Sequence, residues 1–216
     1  MMGAKPARIP LFPLAGAILL PRSQLPLHIF EPRYREMVRD ALAGPGLIGM
    51  VLLRGEWQDE YHGAPETYRT GCVGRIVETT PLPDGKFNIV LAGVREFTIV
   101  SEQRERAYRQ ATVEWRDPAA ATPLASELRA RLVQTIERYV GRSGDDVARE
   151  LLGDTRLDDR TLVNFFAFWL DFGPIEKQCL LEAEGLERAR RLLEVLEFHL
   201  YASHAAPNDL GMRRMH

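Results

Sequence analysis

The chain has 216 residues, 45% of them hydrophobic and 27% charged, with a formal net charge of −2. That is enough apolar material for one large domain or two small ones, and the charge balance gives no overall pull toward nucleic acid or an anionic membrane. No apolar run approaches the roughly 18 residues that a membrane-spanning helix needs, and Pro6, Pro10 and Pro13 interrupt the N-terminal apolar stretch, so it does not read as a signal peptide and the expected compartment is the cytoplasm.

The first half, to about Asp117, alternates apolar with polar residues and is punctuated by Pro and Gly, the period-2 pattern of half-buried strands. Strands are predicted at residues 9–12, 25–30 and 47–53. One helix interrupts them: Pro32 stands in its first turn, Met37, Val38, Ala41 and Leu42 form its apolar stripe, and Gly44-Pro45-Gly46 ends it. Residues 54–70 read as a long polar loop carrying Trp57, Tyr61 and Tyr68, aromatics that either pin a ligand or pack back onto the strands.

A hairpin follows, from residues 72–80 through Pro83-Asp84-Gly85 to residues 86–92, with Phe87, Ile89 and Leu91 on one face. Further strands are expected at residues 97–101 and 110–115, where Ala111, Val113 and Trp115 alternate against Gln110, Thr112 and Glu114. So many short strands separated by turn signals suggest a closed or nearly closed barrel.

After Asp117-Pro118 the period becomes helical. Thr122-Pro123 opens a helix on which Leu124, Leu128, Leu132, Ile136 and Val140 recur every four residues, and a short helix is expected near residues 147–152. Residues 162–170, with Phe165, Phe166, Phe168 and Trp169, read as a helix buried nearly all round, and Gly173-Pro174 starts the next. The last helix carries a seam of Leu186, Ala189, Leu193, Leu196 and Leu200. Glu184 with Arg188 and Glu187 with Arg191 read as i,i+4 pairs on its solvated side. Residues 205–216 lack a periodic pattern and read as a loosely ordered tail.

Chemical motifs are sparse. Gly85-Lys86 lies in the hairpin and is followed by Phe87, so no phosphate-cradling loop is present, and no GxSxG, HExxH or GxGxxG pattern occurs. Cys72 and Cys179 have no CxxC or Cys/His spacing, so neither a metal nor a cofactor is expected. His28, among Pro26, Leu27, Ile29 and Phe30, reads as a hydrogen-bonded rim or core residue; a hydrolase built on His28 and Glu31 lacks an adjacent nucleophile. His199 and His204 are five residues apart, poor spacing for a shared metal, and His62 and His216 fall in a loop and at the terminus. Arginine carries nearly all the positive charge, lysine occurring only at positions 5, 86 and 177, and Arg188, Arg190 and Arg191 interleave with glutamates as on a solvated helix face.

Three segments, taken together, resemble the Lon protease N-terminal domain family. The first is Ile9-Pro10-Leu11-Phe12-Pro13-Leu14, then Leu19-Leu20-Pro21, then the run from Leu25 to Tyr34 that contains Phe30-Glu31-Pro32-Arg33-Tyr34. The others are Gly71-Cys72-Val73-Gly74-Arg75-Ile76 with Leu82-Pro83-Asp84-Gly85, and Gly93-Val94-Arg95-Glu96-Phe97. Glu176-Lys177-Gln178 and Leu180-Leu181-Glu182 fit the family's helices more loosely.

The resemblance implies an α+β fold: a PUA-like β-barrel with one inserted helix over residues 1–118, then a helical bundle over 119–204. It implies recognition of unfolded or specific polypeptides without ATP use or proteolysis, since in full-length Lon this region precedes an AAA+ ATPase and a Ser-Lys protease, neither of which has room here. Glu31, Arg33 and Tyr34, with Arg95 as a further partner, are expected to tie the inserted helix to the barrel. Those four with Phe30 and Trp57 are the candidate polypeptide-contacting residues. Because PUA-like barrels elsewhere read RNA, RNA binding is the alternative, and the charge balance argues against it. Self-association is left open.

Overall fold

The computed structural model describes residues 8–57, 65–116, 123–143, 146–153 and 157–205. Seven elements come first: β1 (Arg8–Leu14), β2 (Gln24–Ile29), α1 (Pro32–Ala43), β3 (Leu47–Leu52), β4 (Thr70–Pro81), β5 (Phe87–Gln103) and β6 (Gln110–Trp115). Five helices follow: α2 (Ser126–Ser143), α3 (Asp146–Gly153), α4 (Asp159–Trp169), α5 (Pro174–Glu182) and α6 (Gly185–Ala205). The strands are ordered β2-β5-β4-β3-β1-β6, and β6 also pairs with β5, which closes β5, β4, β3, β1 and β6 into a ring. All pairings are antiparallel except β1 with β3.

β5 makes this topology possible. Its first half, Phe87 to Ala92, pairs with β2, and its second half, Phe97 to Gln103, pairs with β6. The two strands expected at residues 86–92 and 97–101 are therefore one. What reads in the sequence as a break is a register shift against β4, where Val73 pairs with Arg95 and Gly74 with Gly93. A bulge adds a residue and bends the strand without ending it, and Val94, the extra residue, faces solvent. Gly93 is required by space rather than by φ: a Cβ there would run into the Leu20 carbonyl. The hairpin turn closes as expected, with Gly85 at φ 77° and its amide donating to the Leu82 carbonyl.

Alternate residues of the ring strands fill its interior: Ile9 and Leu11, Val51, Val73, Phe97 and Ile99, Ala111 and Val113. The opposite faces join a larger core shared with the helices, in which Phe12, Met37, Ile48 and Met50 meet Leu132, Ile136, Phe166 and Leu192. Burying each such side chain contributes about 1.5–3 kcal/mol before entropy is counted.

Several sequence expectations shift here. α2 begins at Ser126, three residues past Pro123, and Leu124 packs against the core from outside the helix. α4 is not buried all round: Trp169 is 44% exposed and stacks on Phe165 at 5.4 Å. On α6 the seam includes Leu192, and Leu186 at its head is partly exposed. Residues 205–216, expected to be a loose tail, lie outside the described residues except for Ala205 in α6.

Candidate functional site

The largest departure from the sequence reading is Arg188. Placed by periodicity on a solvated face, it is only 5% exposed, and it does not pair with Glu184. Its guanidinium donates to the carbonyls of Leu180 (2.8 Å) and Ala183 (2.7 Å), to Asn164 Oδ1 (2.6 Å) and to Glu96 Oε1 (2.6 Å). The last carbonyls of a helix have no partners within it, and α5 ends among them. Arg188 caps that end from α6. Arg116, just after β6, caps it from the barrel, donating to Leu181 O (3.1 Å), Glu182 O (2.7 Å) and Glu184 (2.8 Å). Asn164 Nδ2 reaches Pro21 O (3.3 Å) and Gln178 Nε2 reaches Thr70 O (3.2 Å), so polar bonds link barrel and bundle across this junction. Around Arg188, then, the junction of barrel and bundle is filled by hydrogen-bonded side chains.

Hollows lie instead on the barrel. At the corner from β2 to α1, Phe30 is exposed, and Glu31, Arg33 and Tyr34 come together. Glu31 is the N-cap of α1 without a side-chain cap bond, its carboxylate accepting instead from Arg33 Nε at 2.9 Å and Nη2 at 2.8 Å. That pairing lays the Arg33 guanidinium 4.6 Å over the Tyr34 ring, which packs in turn on Phe12 at 4.4 Å. Arg95 stands on β5, donating to Arg116 O at 3.0 Å and lying over Trp115.

Arg33 and Tyr34 line a hollow of about 200 Å³ together with Pro13, Leu53, Pro65, Arg104, Arg106 and Arg109. Tyr108 completes it; its hydroxyl donates to Asp40 at 2.7 Å, and burial followed by that carboxylate pushes its pKa above the ordinary tyrosine value. Arg109 is held by Pro65 O (2.7 Å) and Glu102 (3.5 Å). Burial depresses its pKa; Glu102 opposes this, while Arg104 and Arg33 add to it as neighbouring like charges. A second, more open hollow of about 390 Å³, lined by Arg8, Ile9, Pro10, Leu47 and others, shares Arg106 and Tyr108 with the first.

At its two described ends the 54–70 loop frames this site. Its stem zips up through a Leu53–Thr67 bridge, Tyr68 N to Leu52 O (2.9 Å) and Arg54 N to Glu66 O (2.8 Å), which sets Leu53 and Pro65 at the hollow's edge. Trp57 is half-buried beyond that stem; Tyr61 and His62 lie outside the described residues. Sequence reasoning missed Arg104, Arg106, Tyr108 and Arg109. Their signal was three arginines within six residues, between strands that the barrel must join. His28 sits on the exposed rim, its Nδ1 2.7 Å from Asn88 Oδ1, and Glu31 is engaged by Arg33. Among the described residues no group of three or more His, Cys, Asp or Glu is placed to hold a metal, and no helix is long and apolar enough to cross a membrane.

A barrel closed by a bulged, shared strand and locked to a helical bundle defines an α+β domain of the Lon N-terminal type, and solved structures agree. A Lon N-terminal domain protein from Xanthomonas campestris superposes with a TM-score of 0.65 at 25% identity, over 88% of this chain and 98% of that one. The N-terminal domain of the Mycobacterium avium complex Lon protease gives 0.68 at 18% identity, over 89% and 99%. The family model for the ATP-dependent protease La (LON) substrate-binding domain matches residues 8–198, and the chain belongs to that family. Its relatives include the Lon proteases of Flavobacterium johnsoniae, 26% identical over 197 residues, and of Parabacteroides distasonis, 29% over 194. The aligned region is 89% and 87% of this chain but only 24% and 23% of those proteases, so the chain spans about a quarter of their length.

Proposed function

We propose that this protein is a non-catalytic polypeptide-recognition module acting in cytoplasmic protein quality control. The observation that carries the reading is the match of residues 8–198 to a family defined by substrate binding. Two hollows that share Arg106 and Tyr108 support it, because an extended segment running past Arg106 would enter both. Their walls combine apolar surface with fixed donors, the composition by which concave sites orient a ligand. Phe30, Arg33 and Tyr34 are proposed contacts at one rim and Trp57 at the loop side, with Glu31 holding Arg33 in place; Arg95 serves the barrel wall beside Arg116. Exposed aromatics on α6, Phe198 at 65% and Tyr201 at 75%, offer a separate apolar contact area.

The test is titration of the purified chain into a permanently unfolded model protein, reduced and carboxymethylated, followed by fluorescence anisotropy. Saturable binding that the folded form of the same protein does not compete away is expected. No saturable binding to any unfolded polypeptide would refute the reading.

A further inference from the structure

The smaller hollow has one pronounced chemical bias. Its lining includes four arginines, Arg33, Arg104, Arg106 and Arg109, and no carboxylate. Acids stand behind the rim instead: Glu31 against Arg33 at 2.8 Å, Glu102 against Arg109 at 3.5 Å, and Asp40 3.9 Å from Arg106. Hydrogen bonds to Glu31, Glu102 and the Pro65 carbonyl orient the Arg33 and Arg109 guanidinium groups, so part of the cost of immobilising those two side chains is already met before a ligand arrives. The floor is apolar, from Pro13, Leu53 and the Tyr34 ring. A space of about 200 Å³ suits one residue rather than a folded surface.

Resting on the polypeptide-binding reading, we infer that this hollow takes a carboxylate of the bound polypeptide, from an acidic side chain or the chain's C-terminus, with its aliphatic portion on Leu53 and Tyr34. Guanidinium forks match a carboxylate with two parallel hydrogen bonds, and pairing at a partly dehydrated site is stronger than on an open surface. Arg104 and Arg106, on the exposed connection between β5 and β6, supply the approach; Arg33 and Arg109, held by their partners, supply the seat.

Three fluorescent peptides on one neutral, apolar-rich sequence test this with the full chain. One has a free C-terminal acid, one a C-terminal amide and an internal Glu, and one an amide with Gln in its place. Each is titrated against the native protein and against Arg104→Ala/Arg106→Ala, whose fold is checked by circular dichroism. At least one acid-bearing peptide is expected to bind about ten-fold or more tighter than the neutral one, and the double variant to remove that preference. Which acid-bearing peptide wins identifies the source of the carboxylate. Equal binding of all three, or a preference the variant leaves intact, overturns the inference while the polypeptide reading stands. No binding by any of them overturns the inference, and the unfolded-protein titration above decides the polypeptide reading separately. A single-stranded RNA that binds more tightly than every peptide, and loses affinity in the variant, also overturns it.

Discussion

Arg188 illustrates how an ionisable side chain becomes structural. Its guanidinium meets the Leu180 and Leu181 carbonyls of α5, the Ala183 carbonyl just past it, Asn164 and Glu96, which is itself 8% exposed. Burying two charges is costly, and good geometry with additional hydrogen bonds compensates; removing one partner leaves the other unpaired. Arg188→Ala is therefore expected to lose about 3–5 kcal/mol in urea unfolding. Arg188→Lys should recover little of it, since a point charge cannot replace a fork that serves several acceptors at once. Recovery of native stability by lysine would show that charge, and not the planar donor set, is what this position needs.

Asp158 gives a residue-scale prediction with a pH signature. Burial raises its pKa, but the hydroxyl and amide of Thr161 and the nearby Arg22 guanidinium outweigh that and hold it at about 2, against an ordinary 3.8. A carboxylate whose folded pKa is depressed contributes stability that is fully present above its unfolded value and is lost as pH falls through the folded one. The contribution should thus be intact above about pH 4 and vanish toward about pH 2. Asp158→Asn, which keeps a cap, should flatten that part of the stability profile in denaturant titrations across the range.

At the scale of elements, the same residue is the N-cap of α4, its carboxylate accepting from the Thr161 amide at 2.9 Å. Asp158→Ala is expected to cost about 1 kcal/mol, measured as a fall in unfolding midpoint at neutral pH. β5 yields a sharper case. Gly93→Ala places a methyl against the Leu20 carbonyl where backbone, not a flexible side chain, must give way. A loss of about 1–3 kcal/mol or more, or failure to accumulate folded protein, is expected from such overpacking.

Elements were legible in the sequence wherever one periodicity ran unbroken. Most strand positions, the hairpin turn, the helix periods and the α1 stripe at Met37, Val38 and Ala41 with its Pro32 start correspond to observed elements, whereas Leu42, read into the same stripe, is exposed. Failures came where tertiary neighbours decide. A bulge at Val94 reads as a strand end, since the sequence does not say that β4 continues beside it. Arg188 reads as solvated, since helical spacing cannot reveal that α5 terminates against it. The candidate site was half visible: Arg33 and Tyr34 stood out through the family motif, whereas Arg104, Arg106 and Arg109 acquire meaning only once β5 and β6 bring their connection beside α1.

At the scale of the whole molecule, barrel and bundle share one apolar core and a polar junction, so they are expected to unfold as one unit. Tryptophans report on both halves, Trp115 in β6 and Trp169 in α4. Fluorescence and far-ultraviolet circular dichroism should give superimposable urea curves for the native chain. Arg188→Ala should separate them if the junction is what couples the halves. Coincident curves in both proteins would assign the coupling to the apolar core alone.

The ring has its seam between its earliest and latest strands, β1 and β6. A ribosome emitting this chain must therefore release residues through Trp115 before β1 finds its second neighbour. Until then the β1 edge, with Ile9 and Leu11 uncovered, is open to any passing strand. Synthesis that stalls between β5 and β6 is therefore expected to yield aggregates, whereas stalling after β6 is not.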